Sequence, residues 1–259
     1  MPAWFYELNL INALVLIYVI FGGIGFIAYK LYVKYLKDKD ADFLINIARQ
    51  TCLTFGTIFI AFWIAINWQS INNLNLACKG EAQAILNLYS STHMLDKLHG
   101  NQMRSAVNNY LDSVISEGYE SLENGEINLR TKAIFDKLRL AVYNLPTDDF
   151  EQRIIFSKLT QSMNILAESR TKRQDYVKGQ MNGILLAFFI LLLLNICIWT
   201  AFTYHPKRIL TSMVVISQFI IILSAVWLIF ELDRPFQGYF RVDNSAFIEA
   251  KSQIKQLNY

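Results

Sequence analysis

Four stretches of the chain contain no Asp, Glu, Lys or Arg. Each of these uncharged windows is long enough, as a helix rising about 1.5 Å per residue, to cross a hydrocarbon core of about 30 Å. A segment in lipid must satisfy its own backbone hydrogen bonds, which a helix does. The pattern therefore predicts four transmembrane helices. The uncharged windows lie between Glu7 and Lys30, Arg49 and Lys79, Lys178 and Lys207, and Arg208 and Glu231.

The long stretch between the second and third windows is polar and has a helical period. Val107, Tyr110, Leu111 and Val114 recur at helical spacing, and no strand-type alternation competes with this pattern. The spacing from Asp148 to Glu151 is that of a capping box and predicts a helix start at Asp148.

The predicted fold class is thus an all-α integral membrane protein with four transmembrane helices and a helical extramembrane domain inserted between the second and third. Residues 1–70 would hold the first two transmembrane helices with their linker, and 71–180 the extramembrane domain. Residues 181–232 would hold the last two transmembrane helices, and 233–259 form a C-terminal segment.

Composition argues against two alternatives, a soluble protein with buried helices and a first window that is a cleaved signal peptide. Charged residues make up 17 % of the chain, whereas a soluble domain usually has about 25 %. Four uncharged windows are too many for the buried helices of a soluble core. The segment from Met1 to Glu7 has no positive residue, so we expect the first window to be a retained anchor and not a cleaved signal peptide.

No motif for catalysis or metal binding stands out. The three histidines, His93, His99 and His205, do not share a predicted helix face, and the three cysteines form no Cys-x-x-Cys pair. We therefore predict no enzyme activity, no cofactor and no metal site. The net charge of +3 is small for a nucleic-acid partner, and basic residues at the membrane edges suit lipid headgroups.

The second window carries a bulky apolar stripe. Phe55, Phe59, Phe62 and Ile66 recur at i, i+4, i+7 and i+11, which places them on one side of a helix. They are candidates for lining a pore, and the alternative is a stripe packed against neighbouring helices. In the fourth window, Gln218 is a polar residue near the predicted bilayer centre, where it needs a helix partner, water or a pore.

A specific pattern follows the fourth window. Proline should end the helix there, and the arginine can pair with either acid. One interpretation is an interfacial helix stop with satisfied charges, and the other is an ion or gate site. The candidate residues of this membrane-exit motif are Glu231, Asp233, Arg234, Pro235, Phe236 and Gly238.

This segment resembles the Leu-Asp-Arg-Pro-Phe-x-Gly segment of the bestrophin-like membrane proteins, a four-span family of unknown function. Two further blocks carry the resemblance, which extends from about Asp42 to Val242. They are Glu81-Ala82-x-x-x-Leu86-x-Leu88-Tyr89 and Leu166-Ala167-Glu168-x-Arg170-x-x-Arg173.

A more distant resemblance to the bestrophins implies a homo-oligomeric ion channel, with five copies favoured and the second span lining the pore. The phenylalanine stripe would then form a ring that gates by dewetting. The sequence departs from bestrophins after Gly238, because no acidic run follows and the first acid is Asp243. Calcium gating through this segment is therefore not expected.

The side of the membrane stays open at this stage. Lysines and arginines in the short linkers favour cytoplasmic linkers and an external helical domain, whereas bestrophins keep their helical region in the cytoplasm. We expect a multi-pass protein of a bacterial inner membrane, with lipid and inorganic ions as partners.

Three functions compete on this pattern. The first is a homo-oligomeric ion channel or pore, and the second is a membrane-anchored structural or sensory protein whose helical domain binds a partner. A transporter ranks third, because the two pairs of spans show no internal likeness.

Overall fold

The computed structural model describes residues 10–36, 41–177, 183–204, 208–233, 235–237 and 239–257. Over these residues the chain is all-helical and contains no strand. The helices are α1 (Leu10–Leu31), α2 (Ala41–Ser91), α3 (Lys97–Ser113), α4 (Tyr119–Glu123), α5 (Leu129–Tyr143), α6 (Phe150–Asp175), α7 (Gly183–Phe202), α8 (Ile209–Asp233) and α9 (Ser245–Leu257).

The chain divides into two compact units. The apolar unit comprises residues 1–69 and 180–233, and the polar unit comprises residues 70–179 and 234–259. The continuous helix α2 contributes its first part to one and its last part to the other. The C-terminal residues 234–259 belong to the polar unit, although the sequence pattern predicts a separate segment over 233–259.

The core of the apolar unit is made by α2, α7 and α8. Gly56 of α2 lies against Ile196 of α7 so closely that a Cβ atom at Gly56 would overlap the Ile196 side chain. Helix α1 is joined to α8 by the Tyr18 hydroxyl, which donates to the Ile220 carbonyl over 3.1 Å. The buried core residues are Ile60, Trp63, Phe189, Leu193, Ile196, Ile222, Val226, Ile229 and Phe230.

Side-chain caps define where the helices of the polar unit begin. Asp96 accepts hydrogen bonds from the backbone at the start of α3, and Asn128 does so at the start of α5. The predicted start at Asp148 is wrong by one residue. Asp149 is the cap of α6, and the Gln152 side chain accepts from the backbone N–H of Asp148 over 2.9 Å.

Two helices in the described part of the chain are long and apolar enough to cross a membrane. They are Phe43–Met94 and Ile209–Asp233, and a shorter apolar helix covers Ala187–Phe202. Because the other predicted windows reach into residues outside those that the structure describes, the count of four spans stays a prediction.

Candidate pore face and buried ion pair

The predicted pore stripe of α2 lies mostly on an uncovered surface of the chain. Phe55, Phe62 and Ile66 are 55, 62 and 37 % exposed. Small residues on the adjoining face of the helix, including Ala61 and Ala65, are exposed as well. One side of α2 is therefore available, in the single chain, to a pore, to lipid or to another copy.

Phe59, the fourth residue of the stripe, packs within the apolar unit. Its ring stacks on Trp63 with centroids 6.0 Å apart, and meets Phe188 and Phe189 of α7 at 5.3 and 6.1 Å. At 3.6 residues per turn, Phe59 is the member of the stripe nearest to the buried side of α2, which carries Gly56 and Trp63. Spacing alone did not separate it from the other three.

Two amide side chains of the apolar unit are incompletely bonded. Gln218 of α8 is half-buried, and its Oε1 is a buried atom without a hydrogen-bond partner among the residues described. Asn67 of α2 is buried and donates from Nδ2 to the Ile229 carbonyl over 3.5 Å, while its Oδ1 accepts none there. Such groups are costly in an apolar setting, so they mark positions where water or a further protein group would bind.

The membrane-exit motif is partly described. Helix α8 ends at Asp233, before Pro235, where the proline was predicted to end it. Glu231 is half-buried and Asp233 is buried. Arg234 and Gly238 lie outside the described residues, so the predicted pairing of Arg234 with an acid stays a prediction.

The second half of this motif packs into the polar unit. The Pro235 carbonyl accepts a hydrogen bond of 2.7 Å from the Val242 N–H, which closes the segment into a compact loop. Phe236 is buried, and its ring meets the Tyr119 ring edge-on at 6.1 Å. Gln237 donates from its side chain to the Glu123 carbonyl. These contacts are those of a structural loop.

A buried ion pair lies at the centre of the polar unit. Glu81 of α2 is 0 % exposed and Arg173 of α6 is 2 % exposed. Arg173 donates from Nε to Glu81 Oε2 over 2.7 Å and from Nη2 to Oε1 over 3.0 Å. The Tyr110 hydroxyl donates to the same Oε1 over 2.6 Å. The carboxylate is thus bonded on both oxygens, as a buried charge requires.

Aromatic rings enclose the Arg173 guanidinium. Its carbon lies 5.6 Å from the centroid of Tyr119 and 5.6 Å from that of Phe247, within the range of cation–π attraction. Tyr119 also donates from its hydroxyl to Cys78 Sγ over 3.2 Å. The pair therefore ties α2 and α6 to the C-terminal helix α9.

The titratable groups around the pair keep a single protonation state near neutral pH. Burial, reinforced by the Glu81 charge, raises the pKa of Tyr110, and burial raises that of Tyr119. Burial also raises the pKa of Cys78 to about 11. For Arg173, burial alone would lower the pKa, but the adjacent Glu81 carboxylate reverses this and the pKa is raised. The arrangement holds fixed charges and offers no group poised for acid–base catalysis.

Sequence reasoning did not single out this pair as a site, although both residues stood in the resemblance blocks. A signal was present: Glu81 shares helical spacing with the buried Ile85 and Leu88, and Arg173 with the buried Leu166. A charge at the core position of an apolar stripe predicts a buried partner. The structure shows that the three blocks meet here, through Glu81, Arg173 and the loop carrying Phe236.

Among the described residues, no group of three or more His, Cys, Asp and Glu side chains could hold a metal ion. Asp243, the first acid after the membrane-exit motif, accepts hydrogen bonds from the backbone and hydroxyl of Ser245 at the start of α9. These bonds lower the pKa of Asp243. Its carboxylate is thus engaged within the chain.

The helical architecture, together with the contacts among the three resemblance blocks, is that of one class of membrane protein. Residues 51–247 match the Bestrophin-like domain, and the chain belongs to the bestrophin-like family. It is a membrane protein with the bestrophin fold.

Solved structures show the same fold over nearly the whole chain. A bacterial bestrophin homologue from Klebsiella pneumoniae, in a mutant form, has a TM-score of 0.70 at 11 % identity and covers 95 % of this chain and 98 % of its own. A mutant membrane protein has a TM-score of 0.67 at 12 % identity, covering 96 % and 99 %. No curated protein matches the sequence.

Proposed function

We propose that the protein is a homo-oligomeric ion channel or pore in which α2 of each copy lines the axis. Membership of the bestrophin-like family supports this proposal. A chain with four spans cannot enclose a pore alone, so several copies would surround it, and closed cyclic symmetry is the usual arrangement for identical chains.

The observation that carries the proposal is the uncovered side of α2. Phe55, Phe62 and Ile66 project from one helix without partners from α7 or α8 to bury them, unlike Phe59. Exposed Ala61 and Ala65 lie on the adjoining face of the helix, and small residues allow helices to approach closely. Copies of α2 packed around an axis would place the phenylalanines in a ring that gates by dewetting.

The same face bears on selectivity. No charged residue occurs in α2 between Arg49 and Lys79, so this length of helix would offer ions no ring of charge. Selection would then come from pore width and from backbone dipoles. Gln218, with its buried Oε1 free of a partner in the described part of the chain, is the polar group that α8 would contribute.

The proposal places the protein in the inner membrane of a bacterium, with four spans and no enzymatic activity. Two arguments give opposite answers for the side of the membrane that the polar unit faces. Linker charge favours the outside, and the bestrophin arrangement favours the cytoplasm. Labelling an introduced cysteine at exposed Leu129 in intact cells with a membrane-impermeant thiol reagent decides it. Labelling means an external polar unit, and protection means a cytoplasmic one.

Two measurements test the channel. The mass of the detergent-purified complex should be a multiple of the 30.0 kDa chain, and five copies would support the bestrophin comparison. The purified protein in planar bilayers should then pass ion current. A stable monomer, or silent bilayers under every ion and voltage applied, would refute the proposal.

A matched pair of variants tests the gate. Phe62→Ala removes a ring from the proposed constriction and should raise the current severalfold, because the dewetted barrier is weakened. Phe150→Ala in the polar unit removes a ring that is also exposed, 76 % against 62 %, away from the proposed pore face and should leave the current unchanged. Equal currents from both variants and the wild type would exclude Phe62 from the gate.

The second candidate is a membrane-anchored interaction protein. The polar unit favours it, since its core is held by the Glu81–Arg173 pair and its surface carries exposed apolar residues such as Leu129 and Phe150. In that case Phe62→Ala would alter stability but produce no current.

A further inference from the structure

The apolar unit carries a groove apart from the proposed pore face. It has a volume of about 350 Å³ and opens on the surface. One wall runs along α1, and the rest is formed by α7, the residues just after it, and α8. The wall residues include Tyr18, Gly22, Gly25, Phe26 and Tyr29 of α1, Ala201 of α7, Tyr204 after α7, and Val215 and Phe219 of α8. Apart from the tyrosine hydroxyls, its wall side chains are apolar.

Glycines on α1 shape the groove. A Cβ atom built on Gly22 would meet nothing within 4 Å, so the space beside it is open. A Cβ atom on Gly25 would lie 3.2 Å from the Phe219 ring, so that glycine lets α1 and α8 approach. At the far end, the Tyr18 hydroxyl is bonded to the Ile220 carbonyl and to Ser224 Oγ, 3.0 Å away.

The length of the groove fits one leaflet of a bilayer. From Tyr18 to Tyr29, α1 advances about 17 Å at about 1.5 Å per residue. Half of a hydrocarbon core of about 30 Å is about 15 Å. With α1 crossing the membrane, as in the proposed function on which this inference rests, the groove would run from the bilayer centre to one interface.

Two cations flank the interfacial end. The Tyr29 and Tyr204 rings meet there edge-on at 5.2 Å. Next to Tyr29, the Lys30 ammonium lies 4.7 Å from the centroid of Phe26, a ring of the groove wall. Next to Tyr204, Thr203 accepts a hydrogen bond of 3.3 Å from Arg49.

Arg49 has a donor left over. Its Nε is buried and has no hydrogen-bond partner among the described residues, and none of the described residues that line the groove is acidic. A buried guanidinium donor that lacks a partner favours an anion as its partner, and this one belongs to the side chain bonded to Thr203, the residue next to Tyr204 of the groove wall.

We propose that this groove binds an anionic phospholipid, with one acyl chain along Gly22 and Gly25 and the phosphate beside Lys30 and Arg49. The chain would cover apolar surface that the fold leaves open, and the phosphate would satisfy the orphaned Arg49 donor. Charge selects the lipid: each basic residue near a headgroup contributes about fivefold in affinity.

Native mass spectrometry of the detergent-purified protein tests the proposal without reference to current. Phosphatidylglycerol and phosphatidylcholine of identical acyl chains are added in equal amounts. We expect phosphatidylglycerol to be retained preferentially. Lys30→Gln and Arg49→Gln should each reduce that preference about fivefold, and Lys34→Gln, whose ammonium lies over Tyr35 outside the groove, should not.

Adjacent glycines supply the control for the acyl chain. Gly22→Leu fills the groove and should abolish retention of both lipids, whereas Gly23→Leu, equally open but not part of the groove wall, should retain them. Equal retention in the two variants, or no preference between the lipids in the wild type, would overturn the proposal. So would loss of the oligomer in Gly22→Leu alone, which would show that a second copy covers the groove.

Discussion

Glu81 and Arg173, 92 residues apart in the chain, are joined by two hydrogen bonds of 2.7 and 3.0 Å in the buried centre of the polar unit. The pair connects α2, which begins in the apolar unit, to α6. Tyr110 bonds the same carboxylate, and the rings of Tyr119 and Phe247 lie beside the guanidinium.

Removing one partner of this pair should destabilise the protein strongly. Arg173→Met leaves a buried carboxylate whose one remaining hydrogen bond, among the described residues, comes from the Tyr110 hydroxyl, and we expect a loss of about 3–5 kcal/mol in the free energy of unfolding. Chemical unfolding in mild detergent measures it. The control is Arg130→Met, which breaks an exposed pair with Glu117 and should cost less than about 1 kcal/mol.

A double variant separates the ion pair from its packing. Glu81→Leu combined with Arg173→Met replaces both charges by apolar groups, and buried pairs replaced in this way often lose little stability. The double variant should therefore be more stable than Arg173→Met alone. If it is less stable, the charge left unpaired is not the cause of the loss.

The C-terminal helix should depend on one phenylalanine. Phe247 is fully buried beside Tyr119 and Arg173, and Phe247→Ala should cost about 3–5 kcal/mol. Hydrogen exchange over Ser245–Leu257 should rise in this variant. The neighbouring Ile248 is exposed on the same helix, so Ile248→Ala should leave exchange unchanged; equal rises in both would contradict the packing of α9.

Alkaline pH should weaken the polar unit through Cys78, which lies eight residues beyond the predicted end of the second span at Ser70. Its pKa is raised from 9.0 to about 11 by burial. Between these values the unfolded state loses the proton first, so the free energy of unfolding falls as pH rises, by about 1.4 kcal/mol per pH unit for this group. Tyr110 and Tyr119, also raised, add to the fall above their ordinary value of 10.0.

Cys78→Ser removes that titration. Unfolding of the wild type and the variant, measured at pH 8, 9, 10 and 11, should run parallel below pH 9 and diverge in slope above it, with the wild type steeper. Parallel curves over the whole range would mean that the thiol is not protected from ionisation.

Close packing of α2 on α7 should make Gly56 sensitive to a single methyl group. The Cβ atom of Gly56→Ala would overlap Ile196 Cδ1, and overpacking of this kind costs about 1–3 kcal/mol. Ile196→Val deletes that Cδ1 atom and should restore stability in the double variant. Gly23→Ala, where nothing lies within 4 Å, is the control and should not lower the melting temperature.

Sequence alone determined the helical class and the position of the apolar windows, because uncharged length and helical period are local properties. It also placed the end of α8 before Pro235, since proline cannot continue a helix. The resemblance blocks were sufficient to predict the family, which the match over residues 51–247 confirms.

Tertiary structure decided which of these residues face each other. Periodicity put Phe59 in the same stripe as Phe62, but only the approach of α7 partly covers Phe59 while Phe62 stays exposed. Glu81 and Arg173 stand in separate resemblance blocks of the sequence, and only the folded chain brings their charged groups within 2.7 Å of each other. A side chain's partners depend on how distant helices pack, and no spacing along one helix contains that information.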